Sequence, residues 1–279
     1  TLDQLNLSML SIDFPNIVGI EDNQVGFKVQ NIGVDNITSF EASYQINDNT
    51  PVVETFQTNL SSTTKADFVF NTPVSLAPGS YTLTISILKV NGEEDITYDN
   101  VTSKDIRAAI GTAQRTPMIE HFSSSTCGPC KDVNVNMNTL TANNPGKYTY
   151  VKYPLSFPYP GDPYNTEDAK VRTTYYGVTS APHLFLDGSN QGFGAIKAQN
   201  FEAQYNVPAY VNIKGAFDVD YDSIRIVADF MSYVNINNVR AFASVNEKTT
   251  TENTVEYGGN GEKEFHHIML KMMDGARQC

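Results

Sequence analysis

The sequence predicts three parts: a β-sandwich over residues 1–107, an α/β unit over 108–206 and a β-rich unit over 207–279. Three observations carry this. Short apolar–polar alternations separated by turn residues recur through the first hundred positions. Strand-like and helix-like segments then alternate around Cys127-Gly128-Pro129-Cys130. Alternation with a period of two returns after Val207.

In the first part, Val25–Asn31, Phe40–Ile46, Ala66–Phe70 and Tyr81–Ile87 place apolar side chains on one face of a strand. Asn31-Ile32-Gly33, Asn47-Asp48-Asn49, Ala77-Pro78-Gly79 and Asn91-Gly92 supply the turns. Many short strands with regular turns predict two packed antiparallel sheets. The segment carries no cysteine and no cluster of histidines, so a spacer or docking module is the expectation.

In the second part, the apolar run Met118, Ile119 and Phe122 leads through Ser123–Thr126 into the cysteine pair. Lys131–Asn143 can be helical, and Asn143-Asn144-Pro145-Gly146 stops it. Tyr148–Tyr153 is a strand, and Pro154–Pro163 a proline- and tyrosine-rich loop. A helix follows over Thr166–Tyr176, with Thr166 as cap, Glu167 and Asp168 in the first turn and Gly177 as terminator. His183–Leu186 is a strand turning at Asp187-Gly188, and Phe201–Tyr205 begins a last helix.

A helix starting near Cys127 points unpaired N–H groups at the first sulfur, which favours thiolate, the nucleophile in disulfide exchange. Gly128 permits a tight turn and Pro129 suits a first helical turn. The i, i+3 spacing brings the two sulfurs within bonding reach. Zinc needs about four nitrogen or sulfur ligands, and His183, His266 and His267 are remote in sequence; neither metal nor cofactor is expected. A purely structural disulfide is the other reading of the pair.

In the third part, Tyr210–Asp220, Ser223–Phe230 and Val239–Val245 alternate as strands, while Glu264–Met273 fits helix or strand. His266 and His267 are adjacent and share no face, so they make a poor metal pair. A β unit with so few strands looks unfinished, which leaves room for chain beyond Cys279. Cys279 itself is an unpaired thiol or a partner for another chain.

With 279 residues and 40% apolar side chains, the chain can build ordinary cores. A formal net charge of -12 without a Lys/Arg-rich run argues against nucleic acid. No apolar run approaches the ~20 residues of a membrane-spanning helix. Thr1 is not a natural start, which is consistent with a removed targeting segment. Asn, Thr and Tyr are frequent beside few Arg, in the manner of exported bacterial proteins.

Three resemblances follow. Val29–Gly33 and Leu76–Tyr81 are similar to bacterial immunoglobulin-like adhesion modules, which implies an immunoglobulin-like sandwich for 1–107. Cys127–Lys131 after a strand, with Val178-Thr179-Ser180-Ala181-Pro182 before another, resembles thioredoxins. That resemblance implies a thioredoxin-like domain over 108–206, Cys127 as attacking thiol, Cys130 as buried resolving thiol, and Gly128 and Pro129 in support. It also implies a cis Pro182 facing the pair, with the backbone of Ala181 pairing with substrate. The chain departs from that family in having Thr126 where a Trp is usual, and His121 where a buried acid is usual, with Glu120 beside it. His121 is accordingly assigned the Cys130 proton. Finally, roughly residues 110 to 275, including Phe265-His266-His267-Ile268-Met269, resemble outer-membrane-protein-28-related envelope lipoproteins. This implies a periplasmic or outer-membrane-surface location and a lipid anchor upstream of Thr1.

The function expected is thiol–disulfide exchange on envelope proteins, whose disulfides and dithiols are the partners. The alternative is an envelope binding or adhesion protein in which the α/β unit is a redox-inert scaffold.

Overall fold

A computed structural model describes residues 3–95, 98–237 and 239–273. Cys279 lies outside these. Among the described residues the strands are β1 (Leu7–Asp13), β2 (Ile17–Val18), β3 (Gly26–Asn31), β4 (Ile37–Ile46), β5 (Val52–Leu60), β6 (Lys65–Val69), β7 (Gly79–Val90), β8 (Glu93–Glu94) and β9 (Val101–Ala108). They form two sheets, of order β1-β3-β6 and β2-β9-β7-β4-β5, with β8 paired to β7. This is the sandwich that the alternation predicts.

Period two places Phe27, Val29, Phe40, Ala42, Leu83, Ile85 and Ile87 in its core, with Lys28, Gln30, Thr84 and Ser86 turned outward. Asn91 and Gly92 both have positive φ, 49° and 87°, as a two-residue hairpin between β7 and β8 requires. Asn31 is buried but satisfied: its amide donates to the carbonyls of Asp35 and Leu60 and its oxygen accepts from Gly33 N–H.

The chain continues with β10 (Met118–Ser123), α1 (Cys130–Ala142), β11 (Thr149–Pro154), α2 (Glu167–Tyr175), β12 (His183–Leu186), β13 (Ser189–Gly192) and α3 (Ala198–Tyr205). The inward face of α1 is Cys130, Asn134, Met137 and Thr141, at helical spacing. Thr166 caps α2 by accepting from Ala169 N–H at 3.2 Å, and Gly177 follows its end with φ 62°. Then come β14 (Val211–Asp220), β15 (Ser223–Ser232), β16 (Ser244–Thr250) and β17 (Phe265–Met272). No described helix is long and apolar enough to cross a membrane.

The chain clusters into two units, and the segment expected as one part, 207–279, divides between them. Residues 210–236 group with the chain up to Ala113, and residues from Asn237 group with 114–209. In the first unit, β14 and β15 pair residue for residue as a two-stranded ribbon. One face carries Ile213, Phe217, Val219, Ile224, Ile226 and Phe230, all exposed. The other sets Lys214 opposite Asp229 and Asp218 opposite Arg225. The strand expected at Val239–Val245 is corrected: residues 239–243 are not in a strand, and pairing with β17 selects Ser244–Thr250 instead.

In the second unit the sheet order is β13-β12-β10-β11-β17-β16. β10 runs parallel to β11 and antiparallel to β12, and β11 pairs with β17 in parallel. Two apolar clusters flank β10: Ile119 packs with Met137, Leu140 and Tyr150, while Phe122 packs with Tyr153, Val178 and Phe185. Glu264–Met273, open between helix and strand, supplies β17.

Candidate functional site

The backbone leaves β10 at Ser123, turns through residues 124–129 and enters α1 at Cys130. The turn is held inside: Cys127 N–H donates to Ser124 O, Ser125 N–H to Asp162 Oδ2, and Thr126 Oγ1 to Pro158 O. Cys127 and Cys130 form a disulfide, with Cα atoms 5.3 Å apart. The Cys130 N–H, at the start of α1, lies 3.2 Å from Cys127 Sγ. On reduction that donor, with the positive end of the helix behind it, stabilises a Cys127 thiolate over the thiol.

Gly128 and Pro129 are exposed, Cys130 is 0% exposed and Cys127 only 2%. The open Cys127 that exchange chemistry demands is therefore not what this state presents.

Below the turn, β10 sends alternate side chains to opposite faces. His121 shares the face of Ile119, toward α1, and is fully buried. Its Nδ1 shares a 2.7 Å hydrogen bond with Tyr150 Oη, and its Nε2 has no partner among the described residues. Burial, and then the charge of Lys152, hold His121 well below the ordinary imidazole range. His267 stacks on Tyr150 at 4.6 Å and is pulled down to about 4, by burial first.

Glu120 faces the other way. Its Oε1 accepts from Arg172 Nε at 3.0 Å, Arg172 Nη2 at 2.8 Å and Tyr153 Oη at 3.0 Å, and Tyr176 Oη donates to Oε2. Both members of the Glu120–His121 pair are thus buried, on opposite sides of the sheet.

Ala181 and Pro182 join through a cis peptide bond. Phe122 of β10 pairs with His183 of β12, so Pro182, one residue earlier, sits at the end of the sheet where the 124–130 turn begins. Register thus brings Cys127, Cys130, Gly128, Pro129, Ala181 and Pro182 to one end of the sheet, with His121 on the α1 side.

Lys152 was not anticipated. It pairs in register with His121 and is 3% exposed, and its ammonium has no ion pair within 4 Å among the described residues. Burial pushes it down to about 8, against the opposing pull of Glu262 and Asp162. A lysine within Tyr150-Val151-Lys152-Tyr153 is the sequence signal that could have found it.

The sign of its effect on stability follows. The folded state resists the proton that the unfolded chain still takes up to pH 10.5, so the penalty is full below pH 8 and fades between 8 and 10.5. Lys152→Met should therefore stabilise the fold near neutral pH by up to about 3 kcal/mol, and by little above pH 10. Thermal melts at the two pH values test this; an equal shift at both would show that the lysine is not held against its charge.

No family model and no curated protein matches this chain. Solved structures similar to it include the CARDB domain of the PF1109 protein of Pyrococcus furiosus, a crystal structure with di-metal ions. It is 19% identical, covers 39% of this chain and 96% of that one, and has a TM-score of 0.33. A domain from Methanosarcina acetivorans, described as part of a cell-surface protein, is 23% identical over 38% of this chain and 91% of that one, with a TM-score of 0.32.

The identification with thioredoxins and with outer-membrane-protein-28-related lipoproteins is corrected by these findings. No model of either family matches this chain, and neither structure named above is described as a thioredoxin or as such a lipoprotein. The physical reason is that a four-residue cysteine turn and an Ala-Pro pair specify local geometry and not the sheet around them. Here that sheet takes in β17 and β16 from far downstream.

Proposed function

We propose that this chain is an exported cell-envelope protein whose β-sandwich is a spacer or docking module, and whose Cys127–Cys130 pair exchanges disulfides with protein partners. The observation that carries the proposal is the Cys130 N–H aimed at Cys127 Sγ at the start of α1. In the forward direction the Cys127 thiolate attacks a partner disulfide and displaces one partner thiolate, leaving a mixed disulfide. The Cys130 thiolate then attacks Cys127 Sγ, the second partner thiolate leaves, and the chain holds its own disulfide. The two leaving thiolates take up the two protons released by the cysteines, and an external dithiol must restore the reduced pair.

In this reading His121, whose Nε2 is unpartnered, receives the Cys130 proton. Gly128 and Pro129 present the turn to the partner, and the backbone of Ala181 beside Pro182 pairs with the partner chain.

A second reading, envelope binding or adhesion with an inert disulfide, is favoured by the burial of Cys127. The similar domain from a protein described as cell-surface fits an exported location in both readings. Insulin reduction with dithiothreitol as donor separates them. Exchange predicts turnover well above dithiothreitol alone, abolished by Cys127→Ser; wild-type protein no faster than the donor alone would leave the binding reading.

A further inference from the structure

The loop between β16 and β17 reaches back to the cysteine turn. Its tip is Gly258-Gly259-Asn260-Gly261-Glu262, three glycines in five residues, with Gly258 and Gly261 at φ 78° and 82°. Its side chains of consequence, Asn260 and Glu262, make specific bonds.

Asn260 N–H donates to Ser125 O at 2.7 Å, and its carboxamide nitrogen lies 3.2 Å from Cys127 O and 3.5 Å from Ser124 O. The same nitrogen donates to Glu262 Oε2 at 2.6 Å, while Glu262 N–H returns a bond to Asn260 Oδ1 at 2.9 Å. The Glu262 carboxylate accepts from Asn134 Nδ2, on the buried face of α1, at 3.0 and 2.9 Å. At its other end the tip lies against Pro160, whose Cδ is 3.4 Å from a Cβ placed on Gly258. The tip therefore spans from the proline-rich loop to α1, across the carbonyls of Ser124, Ser125 and Cys127.

We propose that residues 258–262 are a strap that latches shut over the disulfide turn, and that releasing Asn260 and Glu262 admits an attacking thiolate to Cys127. Attack requires sulfur-to-sulfur contact, and a residue 2% exposed cannot make it until a neighbour moves. Among the elements around the turn the strap is the one built to move. The proline-rich loop is tied by backbone bonds, Leu155 N–H to Ser123 O and Asp162 N–H to Leu155 O, besides Ser125 N–H on Asp162. Between strap and turn, the backbone bond is Asn260 N–H to Ser125 O, and the rest of the hold comes from two side chains. The ends of the loop are anchored in paired strands while its tip is glycine-rich. As regulation of exchange, the strap rests on the exchange reading; as a gate on the chemical reactivity of the disulfide, it does not.

The test uses the intact chain and dithiothreitol as the probe, with alkylation at timed quench to count free Cys127 and Cys130. Asn260→Ala combined with Glu262→Ala should speed reduction about tenfold, the scale set by losing one or two such bonds. Reoxidation of the reduced pair should accelerate by the same factor, because a gate changes both directions alike. Glu262→Gln alone, which keeps a neutral partner for Asn134, should give the same direction with a smaller factor and guards against misfolding of the double variant. Unchanged rates in both variants would overturn the strap. So would a shift in the equilibrium with glutathione as large as the rate change, since that is the mark of altered disulfide stability. Faster reduction without insulin turnover by any form would keep the strap and remove the exchange reading.

Discussion

Arg172→Met is expected to destabilise the second unit by about 3–5 kcal/mol, the scale for removing one partner of a buried ion pair. Glu120 is 2% exposed and its Oε1 receives both Arg172 nitrogens. Without the guanidinium, the carboxylate keeps the hydroxyls of Tyr153 and Tyr176 but loses its neutralising charge. The guanidinium also lies 4.9 Å from the Tyr175 ring centroid and 5.1 Å from that of Tyr176, so packing is lost with the charge. Glu120→Gln on top of Arg172→Met should recover a good part of the loss, because the orphaned charge is its main source. Hydrogen exchange of peptides from β10 and β11 reads the effect within the unit. Protection unchanged in Arg172→Met would mean that Glu120 is satisfied by its phenols alone.

Phe27→Ala should destabilise the sandwich by about 3–5 kcal/mol, the range for emptying a large aromatic site in a core. Phe27 is fully buried on β3 and packs edge-on to Phe56 at 5.4 Å and Phe40 at 6.2 Å, with Phe68 at 5.9 Å and Phe70 at 5.1 Å. Four rings converge on one, so the void is lined by rigid planes that cannot collapse into it. Phe27→Leu keeps most of the volume and should lose under about 2 kcal/mol. Exchange protection across β3 and β4 measures both. Equal losses for Leu and Ala would show that the site relaxes and that ring packing is not what holds it.

Much of the architecture was legible because it rests on local rules. Val25, Phe27 and Val29 alternate with polar residues and face the sandwich core. Thr166 and Gly177 bound α2 at the positions their chemistry requires. The bonded cysteines follow from their spacing. What escaped was set by partners distant in sequence. Val239–Ala243 alternates as well as any strand, yet β16 lies just after it, chosen by β17. Nothing in Gly258–Glu262 announces that it reaches the cysteine turn, because a polar glycine-rich loop has no periodicity to read. The burial of Cys127 was likewise not legible in the sequence. Family identity failed for a different one: a short motif constrains a few backbone angles, while a family is defined by everything around them.

Each unit is assembled from two separated stretches of chain, so neither is complete when its first stretch has been synthesised. β11 ends at Pro154, and its outer neighbour β17 begins only at Phe265. Until that strand emerges from the ribosome, β11 offers an unpaired edge to any passing strand. A nascent chain of this design therefore gains from being held apart from other nascent chains until its last strand has docked.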